Sequence, residues 1–173
     1  MFIFHFIRST LLTGRHFFSQ PLEPHVIYHN GPGQAYLSRS TEHDVRDYDG
    51  GGNWFKIAYF GALNDTWWST RDQTGMNFTI PASTPPGQYL LRVEHLYVRY
   101  PFGTTQFYIA CAQIDVRPPR SAVVERTPSE EYMARFPGAY HLTDEGECIP
   151  CRRAAMNSFV RKVAETIANS HRD

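Results

Sequence analysis

Apolar residues in the first two thirds of the chain fall into short runs, with no long periodic stretch among them. Five runs, QAYLSRS (34–40), WFKIAYF (54–60), GMNFTI (75–80), YLLRVEHLYVR (89–99) and TQFYIACAQIDV (105–116), are rich in aromatic and β-branched residues, and turn material bounds each. That pattern predicts strands. The turns are explicit: GPG at 31–33, DGGGN at 49–53 and STPPGQ at 83–88 place glycines and φ-locked prolines where a chain must reverse. Strands joined in this way predict an all-β antiparallel sandwich, incomplete in the stretch before residue 30. After Val116 the pattern lapses into irregular, proline-containing sequence. Met156, Phe159, Val160, Val163 and Ile167 then fall at helical spacing in a proline-free run, which predicts an amphipathic helix over 153–169.

Length and charge narrow the function classes. At 173 residues the chain is the size of one domain, able to bury roughly 70% of the surface its unfolded form exposes. Seventeen basic residues balance seventeen acidic ones, so no field built for nucleic acid is expected. No apolar run reaches the ~18 residues that crossing a bilayer requires, so no membrane role is expected. The opening MFIFHFIRSTLLTG is apolar but is interrupted by His5 and Arg8, lacks a basic start and shows no small-residue cleavage site, which makes it a poor signal peptide. Asn64-Asp-Thr66 and Asn77-Phe-Thr79 fit the N-glycosylation pattern and tilt weakly toward secretion. Three cysteines, Cys111, Cys148 and Cys151, leave an odd thiol. Cys148-x-x-Cys151 opens the helical stretch as a redox pair would, but no βαβ pattern surrounds it.

Candidate chemistry sits in the last strand. Side chains alternate along a strand, so Phe107, Ile109 and Cys111 share one face, expected to be the core, while Gln106 and Tyr108 share the other. Gln106 and Tyr108 stand about 6.6–7 Å apart along the strand and present an amide and a phenol to one place. Alone, they read as a hydrogen-bonded pair on a partly solvated sheet face. His29, just ahead of the rigid Gly31-Pro32 turn, reads either as a loop histidine or as a metal ligand, since imidazole suits copper and zinc.

Five stretches in order, YHNGPGQAYLS, DYDGGGNWFKI, FTIPASTPPGQYLLRVEH, TQFYIACAQIDV and FPGAY (136–140), resemble successive blocks of the fungal lytic polysaccharide monooxygenases of auxiliary activity family 9, formerly glycoside hydrolase family 61. The resemblance covers residues 24–146, leaving 1–23 unassigned and 147–173 as a helical tail outside the family pattern. It implies an immunoglobulin-like or fibronectin-like sandwich, an extracellular and monomeric copper oxygenase acting on cellulose or related β-glucans. In that family the amine and imidazole of an N-terminal histidine and the imidazole of a second histidine hold the copper. His29 matches the second histidine, Tyr108 the axial tyrosine and Gln106 the outer glutamine that helps position oxygen. Nothing among His5, His16 and His25 matches the first histidine, and Arg99 stands where the family usually has another outer histidine. The chain as written is therefore expected to bind copper weakly and to be catalytically incomplete. The alternative expectation is a carbohydrate-binding sandwich without the copper brace.

Overall fold

Glycine and proline turns bring all five runs into sheet structure in the computed structural model, which describes residues 6–12, 16–18, 26–99, 104–117 and 126–140. The described residues form eight strands: β1 (Phe6–Leu12), β2 (His16–Phe18), β3 (Gly33–Arg39), β4 (Trp54–Phe60), β5 (Asn77–Thr79), β6 (Gly87–Tyr97), β7 (Gln106–Arg117) and β8 (Met133–Ala134). The larger sheet runs β1-β7-β6-β3-β4-β8, and β2 pairs with β5 in a second. All pairings are antiparallel except β1 with β7, which is parallel. The architecture is all-β, an immunoglobulin-like sandwich, and no α-helix occurs among the described residues. The helix expected over 153–169 lies outside them, as do Cys148 and Cys151.

The core forms where the two sheets face each other. Ala35 and Leu37 of β3, Phe55 and Ile57 of β4, Tyr89, Leu91 and Val93 of β6 and Ala112, Ile114 and Val116 of β7 pack with Met76, Phe78 and Ile80 from the β5 segment. Burying a side chain of this size contributes roughly 1.5–3 kcal/mol each. The outward face of the large sheet is covered as well, because the 41–53 turn folds over it and buries Val45, Tyr48 and Trp54 against Tyr36 and Leu90. The Trp54 indole donates to the Gly50 carbonyl at 2.8 Å, closing that turn.

Double coverage overturns one expectation for β7. The core-facing residues are Ala112, Ile114 and Val116, on the same parity as Gln106 and Tyr108, while Phe107, Ile109 and Cys111 are half-buried on the opposite face. The start of the strand misleads because its apolar residues fall on odd positions. Gln113 and Asp115 further along carry the polar residues of that same odd face, and a twelve-residue strand has one parity throughout. The Gln106 and Tyr108 side chains are thus the solvent-exposed end of the core face. Cys111 is a free thiol, and burial holds its pKa above the ordinary range, which disfavours the reactive thiolate.

Candidate functional site

At the open end of the core face, β6 and β7 end side by side and the turn before β3 folds against them. Register sets the neighbours: Tyr97 lies opposite Gln106 and His95 opposite Tyr108, with Gly33 of β3 opposite His95 on its other side. The turn is held down from several directions. Leu96 N–H donates to the Pro32 carbonyl at 2.9 Å, and the Thr70 hydroxyl donates to the Gly31 carbonyl at 2.8 Å. Ahead of it, Ile27 exchanges backbone hydrogen bonds with Asp72 and Gln73, each 2.8 Å, and Arg71 donates to the Tyr28 carbonyl. Gly31 has φ +155°, and a Cβ there would lie 1.7 Å from the Leu96 carbonyl oxygen. Only glycine lets the turn lie this close to β6.

This packing brings the three sequence-predicted site residues together. The His29 ring stacks on Tyr97 with centroids 4.0 Å apart and 12° between planes, and lies 5.7 Å from the Tyr108 ring. Tyr28 flanks it at 4.1 Å. The Tyr108 hydroxyl donates to Gln106 Oε1 at 2.7 Å, so the amide fixes the phenol at the site's edge. Tyr28 is 61% and Tyr108 40% exposed, which gives the site an aromatic outer surface. Trp67, with Arg71 5.9 Å from its ring, is a further exposed aromatic residue.

Charge acts on both titratable groups. Desolvation first, then Arg71 and Arg99, lowers the proton affinity of His29. Its imidazole is therefore neutral near pH 7, with a lone pair available to a metal. Burial and the neighbouring Tyr28 and Tyr97 raise the Tyr108 pKa, so its phenol stays protonated near neutral pH and is at most a weak donor to a metal. Among the described residues no group of three or more His, Cys, Asp or Glu side chains is placed to hold a metal ion. The residues present could offer a metal such as copper one neutral imidazole and a protonated phenol, and a nitrogen-rich site would need further donors.

Sequence reasoning missed His95 and Tyr97, although both were legible. Writing β6 and β7 as an antiparallel hairpin places residues 97 and 106 opposite each other, which puts 95 and 97 on the site face. His95 is only 5% exposed, and its Nε2 is buried without a hydrogen-bond partner. Burial and then His29 push its pKa down to about 4, against the backbone contacts with Gly31 and His29.

Known proteins share this frame. A model of Auxiliary Activity family 9 (formerly GH61) matches residues 14–158. The AA9 family lytic polysaccharide monooxygenase U of Thermothielavioides terrestris is 42% identical over 125 residues, covering 72% of this chain and 46% of that protein. The AA9 family lytic polysaccharide monooxygenase G of Aspergillus tamarii is 41% identical over 124 residues, covering 67% of this chain and 36% of that protein. The crystal structure of HiLPMO9B superposes with a TM-score of 0.64 at 28% identity, covering 82% of this chain and 63% of that one. The chain thus spans half or less of the length of these two curated relatives. With most of its length matched by the family model and its sandwich shared with a solved member, the chain belongs to Auxiliary Activity family 9.

Proposed function

We propose that residues 24–146 form the catalytic-face portion of a copper-dependent lytic polysaccharide monooxygenase that cleaves cellulose or a related β-glucan oxidatively, as a secreted monomer. The observation that carries this reading is the meeting of His29, Tyr108 and Gln106 at one exposed end of a family 9 sandwich. Bound copper would supply the one-electron and oxygen chemistry that side chains lack. His29 would offer it a neutral imidazole, and Tyr108 a protonated phenol held in place by Gln106. Tyr28 and Trp67 present ring faces on which sugar rings can stack. No helix among the described residues is long and apolar enough to cross a membrane.

Two further nitrogen donors would have to join His29, because one imidazole and a phenol cannot impose the tetragonal geometry Cu(II) prefers. Copper titration of the chain, its His29→Ala variant, and the chain with a family-type segment beginning in histidine placed ahead of residue 24 tests this. We expect weak binding by the chain itself. In the graft we expect tight binding that His29→Ala weakens at least about tenfold, together with oxidised sugars released from cellulose in the presence of a reductant. His29-independent binding in the graft would refute the assignment. The exposed ring faces of Tyr28 and Trp67 support one second reading, a sandwich that binds glucan without oxidising it. Retention on cellulose with no oxidised product, even in the graft, would select it.

A further inference from the structure

We infer that Asn64 is an N-glycan acceptor and that local structure selects it over the second acceptor triplet, at Asn77. Residues 61–69 form a closed loop: Ala62 bridges Trp68, Leu63 N–H donates to the Trp67 carbonyl at 2.8 Å, and the Ser69 hydroxyl donates to the Gly61 carbonyl at 2.8 Å. Buried Trp68 anchors the loop, while residues 63–67 are exposed at its tip. Within the tip the Thr66 N–H, the Thr66 hydroxyl and the Trp67 N–H all donate to Asn64 Oδ1, at 2.9, 3.1 and 2.9 Å. None of these bonds uses Nδ2. The turn they close spans four residues, so it needs no other part of the sandwich and is open to an enzyme that meets the chain before it folds.

That arrangement suits glycosyl transfer. Donors aimed at Oδ1 stabilise the negative charge that gathers there as Nδ2 gives up a proton. The proton goes to a base of the transferase, and Nδ2 takes the anomeric carbon of a lipid-diphosphate-linked oligosaccharide. An N–C bond replaces the C–O bond, the lipid diphosphate leaves, and nothing is oxidised or reduced. Leu63 and Trp67, on either side of the triplet, are 68% and 45% exposed, so the inner sugars would stand beside apolar side chains that the protein itself leaves uncovered. Asn77 and Thr79 are exposed too, but they lie in β5, paired with β2. Side chains two apart in a strand stand roughly 6.6–7 Å apart, which keeps the Thr79 hydroxyl from the Asn77 amide.

This inference rests on the secreted reading, so the test supplies entry: the full chain is produced behind a cleavable leader in a eukaryotic secretory host. Peptide N-glycosidase in heavy-oxygen water converts each glycosylated asparagine to labelled aspartate, and peptide mass spectrometry places the label. We expect label at position 64 and none at 77. Asn64→Gln and Thr66→Ala should lose it, and Thr66→Ser should keep it. Trp67→Pro leaves the Asn-Asp-Thr triplet intact but removes one of the three donors and drives Thr66 toward extended backbone, so it should lose most of the label. Trp67→Ala keeps the N–H and should retain the label. An unlabelled position 64 in the secreted parent, label at 77, or Trp67→Pro labelled as fully as Trp67→Ala would overturn the proposal. Whether the protein leaves its own cells without the added leader judges the secreted reading separately.

Discussion

Arg99 acts on His29 at a distance, through the field it adds to that of Arg71. Its guanidinium lies 5.7 Å from the Tyr97 ring, the same ring on which His29 stacks, so both groups share one aromatic neighbour. An imidazole at this place could gain and lose a proton near neutral pH, whereas a guanidinium cannot. Arg99 therefore gives the site a permanent positive charge, where an imidazole would titrate. We expect Arg99→Gln to raise the His29 pKa toward its ordinary value, with the increase shrinking as salt is added, because charges near the surface are screened. A proton titration of the His29 ring at low and high ionic strength checks this. No change at low salt would mean that burial and Arg71 alone set the imidazole's proton affinity. In the copper-binding graft the same variant should bind the cation more tightly, since like charge near the ligand disfavours a second cation.

Strands β6 and β7 carry two unrelated tasks on their two faces, and that explains what the sequence showed and what it hid. All five strand-forming runs became strands, because aromatic and β-branched residues between glycine and proline turns leave few alternatives. His29, Gln106 and Tyr108 were legible as a family pattern, but their meeting depends on the β6–β7 register and on the Gly31 turn, which no short motif encodes. The core parity of β7 was misread because both faces of the sheet are covered, so an apolar residue on either side finds burial. On the face opposite the site, Glu94 is fully buried; Arg92 Nη2 lies 2.8 Å from its Oε2, and the Tyr140 hydroxyl donates to its Oε1. Tyr140 comes from the FPGAY stretch and also accepts from Gln34 Nε2 at 3.0 Å, which ties that late segment onto the sheet. We expect Tyr140→Phe to cost about 1–3 kcal/mol by leaving a buried carboxylate oxygen short of a donor. Glu94→Ala should cost about 3–5 kcal/mol by leaving the Arg92 cation without its anion. Urea unfolding measures both. Neither should alter the upfield proton shift that stacking on Tyr97 gives the His29 ring, read by nuclear magnetic resonance, because Glu94 lies on the face of β6 opposite the site. A shift in either variant would show that the two faces are coupled.

At the scale of the whole molecule, the charge among the described residues that most shapes pH dependence is the partly buried Lys56 in the middle of β4. Its ammonium donates to Gln34 Oε1 and lies 5.2 Å from the Tyr36 ring and 5.7 Å from the Tyr59 ring, with Glu94 attracting it across the sheet. Burial outweighs that attraction and pushes the Lys56 pKa down to about 7. In the unfolded chain the same amine titrates near 10.4. Between these values the unfolded state binds one more proton than the folded state, so stability rises with pH across the window and the full penalty is present below about 7. The buried tyrosines on this face work in the opposite direction. Burial raises the Tyr36, Tyr59 and Tyr140 pKa values, so above about pH 10 the unfolded chain ionises first and stability falls. The raised Cys111 thiol begins the same trend near its ordinary pKa of about 8.5. The expected profile is a climb from pH 7 to about 9, a maximum, and then a decline. Lys56→Met keeps the stem and removes the charge, and Gln34 Oε1 still accepts from the Tyr36 hydroxyl at 2.9 Å. We expect this variant to exceed the parent in stability at pH 7 by an amount of order 2–4 kcal/mol and to show no climb between pH 7 and 9. Urea midpoints of both proteins across pH 6–10.5 provide the measurement. A parent profile that is flat through this window, or a Met variant that climbs alongside it, would place the Lys56 ammonium in water and remove the desolvated charge from the outward face of the sheet.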